Sequence, residues 1–309
     1  MERTAAIIGS GLIGRAWAMV FARAAWRVRL YDNEPAQLDL ALGHIAASLD
    51  EQQAAGIVDD AAEANARVAT TTRIEDALAG ADWVQENLPE VLDIKRSVYN
   101  TLDALAPPGA VLASSTSAIP ASQFTEALAG RARCLVAHPV NPPHLVPVVE
   151  LCGAPWTSAA TIERAQRVMT DVGQVPVVVR RELDGFILNR LQGALLSEAM
   201  RLVGEGYVSP DDLDKTIAHG LGLRWSFMGP FATIELNAPG GVADYCARYG
   251  GFYRGLASEP PAPTVWDAEN VARVVAALGT PPAAAERERR TDARDRRLLA
   301  LARHKRADT

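Results

Sequence analysis

A doubly wound, mostly parallel α/β sheet followed by a smaller all-α domain is the architecture this sequence predicts. Three observations carry it. Strand-like and helix-like segments alternate through the first half of the chain. A glycine triplet, Gly9, Gly11 and Gly14, stands between the first strand and the first helix. After about residue 182 only helical periodicity remains.

Taken in order, the apolar run through Ile7 and Ile8 reads as a strand that stops at Gly9, and Leu12 to Ala25 reads as a helix. Gly9 allows the tight turn, Gly11 lets backbone approach a pyrophosphate, and Gly14 lets helix and strand pack closely. The N-terminal N–H groups of that helix then face the anion. A second strand, Val28 to Tyr31, ends at Asp32, near the spacing of roughly 20 residues expected for a carboxylate on the ribose hydroxyls. This is the pattern of a Rossmann-like, dinucleotide-binding unit. Asp32 selects NAD over NADP, because it repels a 2′-phosphate and neither Asn33 nor Glu34 supplies a cation.

A long helix follows from Pro35 to Gly56, with an acidic continuation to about Asn65. Strands are expected at Arg67–Thr71, Asp82–Gln85, Ala110–Ala113, Val146–Leu151 and Val175–Val179, with one more leading into His138. Helices are expected at Leu92–Ala106, broken by Pro107-Pro108-Gly109, and at Ser158–Val172. Leu188, Leu191, Leu195, Ala199 and Leu202 then recur at helical spacing, and further helices are expected at Ser209–His219, Pro230–Leu236 and Trp266–Leu278. The domains are therefore 1–181, the nucleotide-binding unit, and 182–309, a helical unit. The tail from Ala285, dense in Arg, Glu and Asp, reads as a solvated helical face.

The totals exclude several classes. A formal net charge of −6 argues against a nucleic-acid or anionic-membrane surface. No apolar run approaches the roughly 18 residues of a membrane span. The first strand begins at once, so no signal peptide is expected. Cys134, Cys152 and Cys246 lack CxxC spacing and read as reduced cytoplasmic thiols, with neither a disulfide frame nor a metal site.

Four further segments narrow the chemistry: Ser115-Thr-Ser117, His138-Pro-Val-Asn-Pro-Pro143, Glu150, and Gly185-Phe-Ile-Leu-Asn-Arg190. Together, and in this order, they resemble the 3-hydroxyacyl-CoA dehydrogenase superfamily. The phrases Gly11–Met19, Val208–Asp214 and Gly220–Pro230 resemble its λ-crystallin or L-gulonate 3-dehydrogenase branch most closely. The resemblance implies NAD-dependent oxidation of a secondary alcohol. It implies His138 as catalytic base with Glu150 as its partner, and Ser117 and Asn189 at the reacting oxygen. It also implies Glu90 and Lys95 at the nicotinamide half of NAD, with Leu12, Ile13 and Asp32 on the adenosine–pyrophosphate half. Pairing into a homodimer through the helical domain is a further implication.

These residue types suit the chemistry. Hydride transfer requires a base for the hydroxyl proton, imidazole titrates in the right range, and a carboxylate on its far nitrogen fixes the tautomer. Residues 35–66 carry no Lys or Arg but six acids, Asp39, Asp50, Glu51, Asp59, Asp60 and Glu63. That surface repels the phosphates of CoA and favours a small free hydroxy acid. A carboxylate substrate needs a cation, for which Arg224 is the first candidate and Arg190 the second. The leading substrate is L-gulonate. A 3-hydroxyacyl-CoA is the alternative, and carnitine is a third, with Trp225, Phe227 and Phe231 available as an aromatic cage. A crystallin-like structural NAD-binding protein is the non-enzymatic alternative, opposed by the presence of all four chemical residues.

Overall fold

The computed structural model describes residues 3–307, which form two compact units. The first joins the chain up to Asn189 with the stretch from Thr291 onward, and the second is Arg190–Arg290. This division differs from the expected 1–181 and 182–309 at both ends. Residues 182–189 stay with the first unit because the backbone at 187 and 188 is bonded to Glu150. The last helix returns because Leu299 has an apolar seat there.

The first unit is built on an eight-stranded sheet in the order β3-β2-β1-β4-β5-β6-β7-β8. The strands are β1 Thr4–Ile8, β2 Arg27–Tyr31, β3 Val68–Thr71, β4 Trp83–Glu86, β5 Val111–Ser114, β6 Cys134–Pro139, β7 Val148–Gly153 and β8 Val175–Val179. Every neighbouring pair is parallel except β6 and β7. The helices are α1 Leu12–Arg23, α2 Pro35–Ala54, α3 Ala61–Ala66, α4 Ile74–Leu78, α5 Leu92–Leu105, α6 Ser122–Thr125 and α7 Ala159–Asp171. Alternate residues of β1 face opposite cores, as strand geometry requires. Ala5 and Ile7 pack with α1, α2 and α7, whereas Ala6 and Ile8 pack with α4, α5 and α6.

Local chemistry explains the helix ends. Pro35 starts α2 at a position that tolerates a missing donor. Its buried residues Leu38, Ala41, Ile45 and Leu49 recur every three or four positions. Gly56 turns the chain with φ +72, and Asp60 caps α3 by accepting from the Glu63 amide at 2.8 Å. The expected continuation to Asn65 is thus a separate short helix.

The second unit holds most of α8 (Leu188–Gly204), then α9 Pro210–Thr216, a π-turn at Ile217–Leu221, α10 Gly222–Trp225, α11 Pro230–Leu236, α12 Gly241–Ala257 and α13 Ala268–Leu278. Periodicity does not reveal α4 or α10, each too short to show a period, or α12, whose glycines at 250, 251 and 255 weaken helix propensity. The last helix, α14 Ala284–Ala307, differs from the expected solvated face. Leu299 is 5% exposed and packs on Ile57 and Leu145, flanked by Leu298 and Ala302. Its charged neighbours do face solvent, and the apolar stripe is only one turn long. Among the described residues, no helix is long and apolar enough to cross a membrane, and no group of three His, Cys, Asp or Glu side chains could hold a metal ion.

Candidate active site

The one antiparallel pairing in the sheet sets the site. In the β6–β7 register His138 lies directly opposite Glu150, and the side chains meet with Nδ1 2.9 Å from Oε2. Both are buried. An Nδ1–H donating to a carboxylate leaves the lone pair on Nε2, the nitrogen able to accept a proton. The His138 ring also lies against Phe186, with centroids 5.5 Å apart.

Glu150 does more than orient the ring. Its Oε1 accepts from the amides of Ile187 at 2.8 Å and Leu188 at 3.0 Å, where α8 begins. The turn that aims these amides runs through Gly185, φ +76, and Phe186, φ +48. A non-glycine residue in the left-handed region is uncommon, and here it buries its ring beneath His138. Burial pushes the Glu150 carboxyl up, but its bonds to His138, Leu188 and Ile187 outweigh this and hold it below the ordinary 4.5. A depressed carboxyl contributes stability above its unfolded pKa and loses that contribution as pH falls through the folded value. Glu150→Gln is therefore expected to flatten the loss of thermal stability below about pH 4.5. Parallel melting curves for the two proteins from pH 6 to pH 3, roughly the range over which a carboxyl titrates, would contradict this.

One residue beyond those amides, Asn189 donates through Nδ2 to the Ser117 carbonyl at 2.9 Å. The Ser117 amide in turn donates to Glu90 Oε1 at 3.0 Å, as does the Ala118 amide at 2.9 Å and the Thr116 hydroxyl. Burial raises the Glu90 carboxyl, but Thr116, Lys95, Ala118 and Ser117 together leave it below its ordinary value. The structure thus brings His138, Glu150, Asn189, Ser117 and Glu90 into one chain of contacts. Lys95 stands behind them, with its ammonium on Glu86 and 3.6 Å from Glu90.

The glycine loop fits a dinucleotide. Gly9 has φ +94 and donates to Tyr31 O, and a Cβ on Gly14 would stand 1.8 Å from Gly9 O. A Cβ on Gly11 would meet nothing within 4 Å, so open space lies over the backbone at the start of α1. No side chain caps that helix. Asp32 Oδ2 accepts from the Ser10 amide at 2.9 Å and hydroxyl at 2.7 Å, which fixes the carboxylate at the end of β2. Leu12 and Ile13 form the first turn beside it.

Arg224 lies exposed on α10 in the second unit, near Tyr245, and Arg190 begins that unit. Trp225, Phe227 and Phe231 are exposed. Cys134 and Cys152 are buried, and burial pushes both thiols up to about 12, a setting that disfavours the thiolate. His144 is packed and kept neutral: burial and the nearby Arg23 push it down to about 4. Sequence reasoning missed Glu86, Ser114, Gln85, Asn87 and Ser115. Ser115 Oγ joins Trp17 Nε1 at 3.0 Å, Gln85 Nε2 at 2.8 Å and Asn87 Oδ1 at 2.7 Å beneath the site. Polar residues at the ends of otherwise apolar strands were the available signal.

The model of the 3-hydroxyacyl-CoA dehydrogenase NAD-binding domain matches residues 4–183, and that of the C-terminal domain matches 185–273. The chain belongs to the 3-hydroxyacyl-CoA dehydrogenase family. It is accordingly an NAD-dependent oxidoreductase with the Rossmann-like sheet and helical second domain of that family. Within the family it is 46% identical to lambda-crystallin of Oryctolagus cuniculus over 246 residues, covering 79% of this chain and 77% of the relative. It is 37% identical to L-carnitine dehydrogenase of Streptomyces griseus over 249 residues, covering 80% and 74%. The structure of an NAD+-dependent 5-formyl-3-hydroxy-2-methylpyridine 4-carboxylic acid 5-dehydrogenase superposes with a TM-score of 0.85 at 30% identity, covering 98% of both chains.

Proposed function

We propose that this dehydrogenase oxidises the 3-hydroxyl of a small free hydroxy acid, with L-gulonate the first candidate. The observation that carries the acid–base part is the His138–Glu150 pair, with Nδ1 on the carboxylate and Nε2 available for the substrate hydroxyl proton. Ser117 and Asn189, joined to each other, hold the alcohol oxygen. Gly9, Gly11, Leu12, Ile13, Gly14 and Asp32 would hold NAD, which would supply the hydride acceptor. Glu90 and Lys95 border its nicotinamide end.

Two features favour a free acid over a CoA thioester. The helices α2 and α3 carry acids and no Lys or Arg through residues 35–66, a poor seat for CoA phosphates. The similarity to lambda-crystallin supports the same branch. A second reading, a carnitine-type substrate, is favoured by the exposed aromatics Trp225, Phe227 and Phe231 and by the similarity to L-carnitine dehydrogenase. NADH production from L-gulonate, L-3-hydroxybutyrate, L-carnitine and 3-hydroxybutyryl-CoA separates these readings. Arg224→Ala is expected to raise KM for a free hydroxy acid at least about tenfold, the effect of losing one charge-assisted pair, with little change in NAD binding. Highest kcat/KM on the thioester, or an unchanged KM in the variant, would defeat the corresponding part.

The second unit leaves Leu191, Leu236, Phe252 and Leu256 exposed, apolar side chains that a partner surface would cover. We assign these faces to a homodimer contact. Three unpaired thiols fit a reducing, cytoplasmic setting.

A further inference from the structure

We infer that the hydroxyl of Ser115 is a positioning group that holds the glycine turn, the Ser117 turn and the strand bearing His138 in one register. Ser115 directly follows β5. Its hydroxyl accepts from Trp17 Nε1 at 3.0 Å and Gln85 Nε2 at 2.8 Å, and it donates to Asn87 Oδ1 at 2.7 Å. A hydroxyl has one proton and two lone pairs, so this one makes every bond open to it. Those bonds run to α1, to β4 and to the segment just after β4.

Each partner leads to a different part of the site. Asn87 leads to the glycine turn, because its amide donates to Ile8 O at 2.8 Å, at the end of β1. A Cβ on Gly9 would stand 3.1 Å from Asn87 O, and one on Gly14 would stand 3.6 Å from Asn87 Nδ2. This residue therefore packs against the turn itself. Trp17 approaches the same turn from the helix that follows it, with its side chain fully buried in α1. Gln85 leads to the base: its Nε2 reaches the Ala137 carbonyl at 3.4 Å, one residue before His138 on β6. Its Oε1 accepts from Trp83 Nε1 at 2.9 Å, which fixes the way the amide faces.

Ser115 itself leads to the alcohol. Its backbone amide donates to Glu86 O at 2.9 Å, and two residues further on the Ser117 carbonyl receives Asn189. Trp17 and Gln85 are fully buried, where a donor left unmatched costs more than a made bond gains. Loss of the hydroxyl strands both donors at once. They can regain partners only by moving, and α1 and the end of β4 move with them.

The inference rests on the reading of Ser117 and His138 given above, and a double-mutant cycle tests it separately. Ser115→Ala, Asn87→Ala, the double variant and the unmodified protein are compared by NADH fluorescence titration, by kcat at saturating NAD and by melting of the cofactor-free protein. Ser115→Ala is expected to raise the NADH Kd at least about threefold and to lower kcat at least about tenfold, the scale of a small misplacement of reacting groups. The double variant is expected to raise Kd by clearly less than the product of the single effects, because both changes break the same bond. A Ser115→Ala protein that melts lower but keeps the parent Kd and kcat would reduce the hydroxyl to a structural role and overturn the inference. So would a double variant whose Kd rises by the full product. Trp17→Phe removes one donor, keeps an aromatic ring and covers the case in which Ser115→Ala does not fold. It is expected to raise the NADH Kd at least about twofold, and an unchanged Kd would equally overturn the inference. An unchanged kcat in Ser117→Ala would sink the reading of Ser117 while leaving the titrations of the Ser115 cycle interpretable.

Discussion

Replacing His138 with Gln is expected to lower kcat by about a thousandfold or more while leaving the NADH Kd within about twofold. In the proposed mechanism the ring is the proton acceptor and not a cofactor contact, because its Nδ1 is committed to Glu150 and Nε2 is left to act. Glutamine keeps a donor near Glu150 but has no basic nitrogen where Nε2 stood. The substitution also spares the fold, since the Glu150 carboxylate retains the Ile187 and Leu188 amides. Steady-state rates with the best substrate, beside NADH titration and melting, separate these effects. A variant with kcat within tenfold of the parent would remove His138 from the chemistry. A Kd that rose in step with the fall in kcat would make it a cofactor-site residue instead.

Gly14→Ala is expected to cost about 2–3 kcal/mol of stability and to weaken NADH binding by about a hundredfold or more. The added Cβ would stand 1.8 Å from Gly9 O and 2.9 Å from Gly9 C, so α1 must move off the end of β1. That displacement carries the amides of Leu12 and Ile13 with it. Gly11→Ala is the matched control, because a Cβ there meets no atom of the protein within 4 Å. It should leave the melting temperature unchanged and still weaken NADH, since it fills the space in which backbone approaches the pyrophosphate. Chemical denaturation and fluorescence titration of both variants decide the matter. A Gly14→Ala protein that binds NADH normally, or a Gly11→Ala protein as destabilised as its partner, would contradict this account of the loop.

The contrast between these glycines shows how unevenly the site could be read from the chain. The triplet and Asp32 were legible because each demand is local: a turn, a close approach, a carboxylate at the end of the next strand. His138 and Glu150 could be named as partners, but only the antiparallel register of β6 and β7 sets them opposite each other. Lys95 was legible through the resemblance but not as a buried residue, because its burial depends on Glu86 and Ser114 arriving from two other strands. The same limit applies to Leu299, hidden among charges until Ile57 and Leu145 provide its seat.

By itself, then, and with the resemblance supplying the four proposed acid–base residues, the amino-acid sequence determined the alternation of strand and helix, the nucleotide-binding turn and NAD as its ligand. These follow from periodicity, from backbone freedom at glycine and from residue chemistry, all of which act over a few positions. The tertiary structure alone decided that Glu150 also holds the start of α8, that the final helix returns to the first unit, and that Glu86 stands behind Lys95. Each of these is a contact between segments far apart in the chain. Its existence depends on sheet order and burial, which no local pattern of residues encodes.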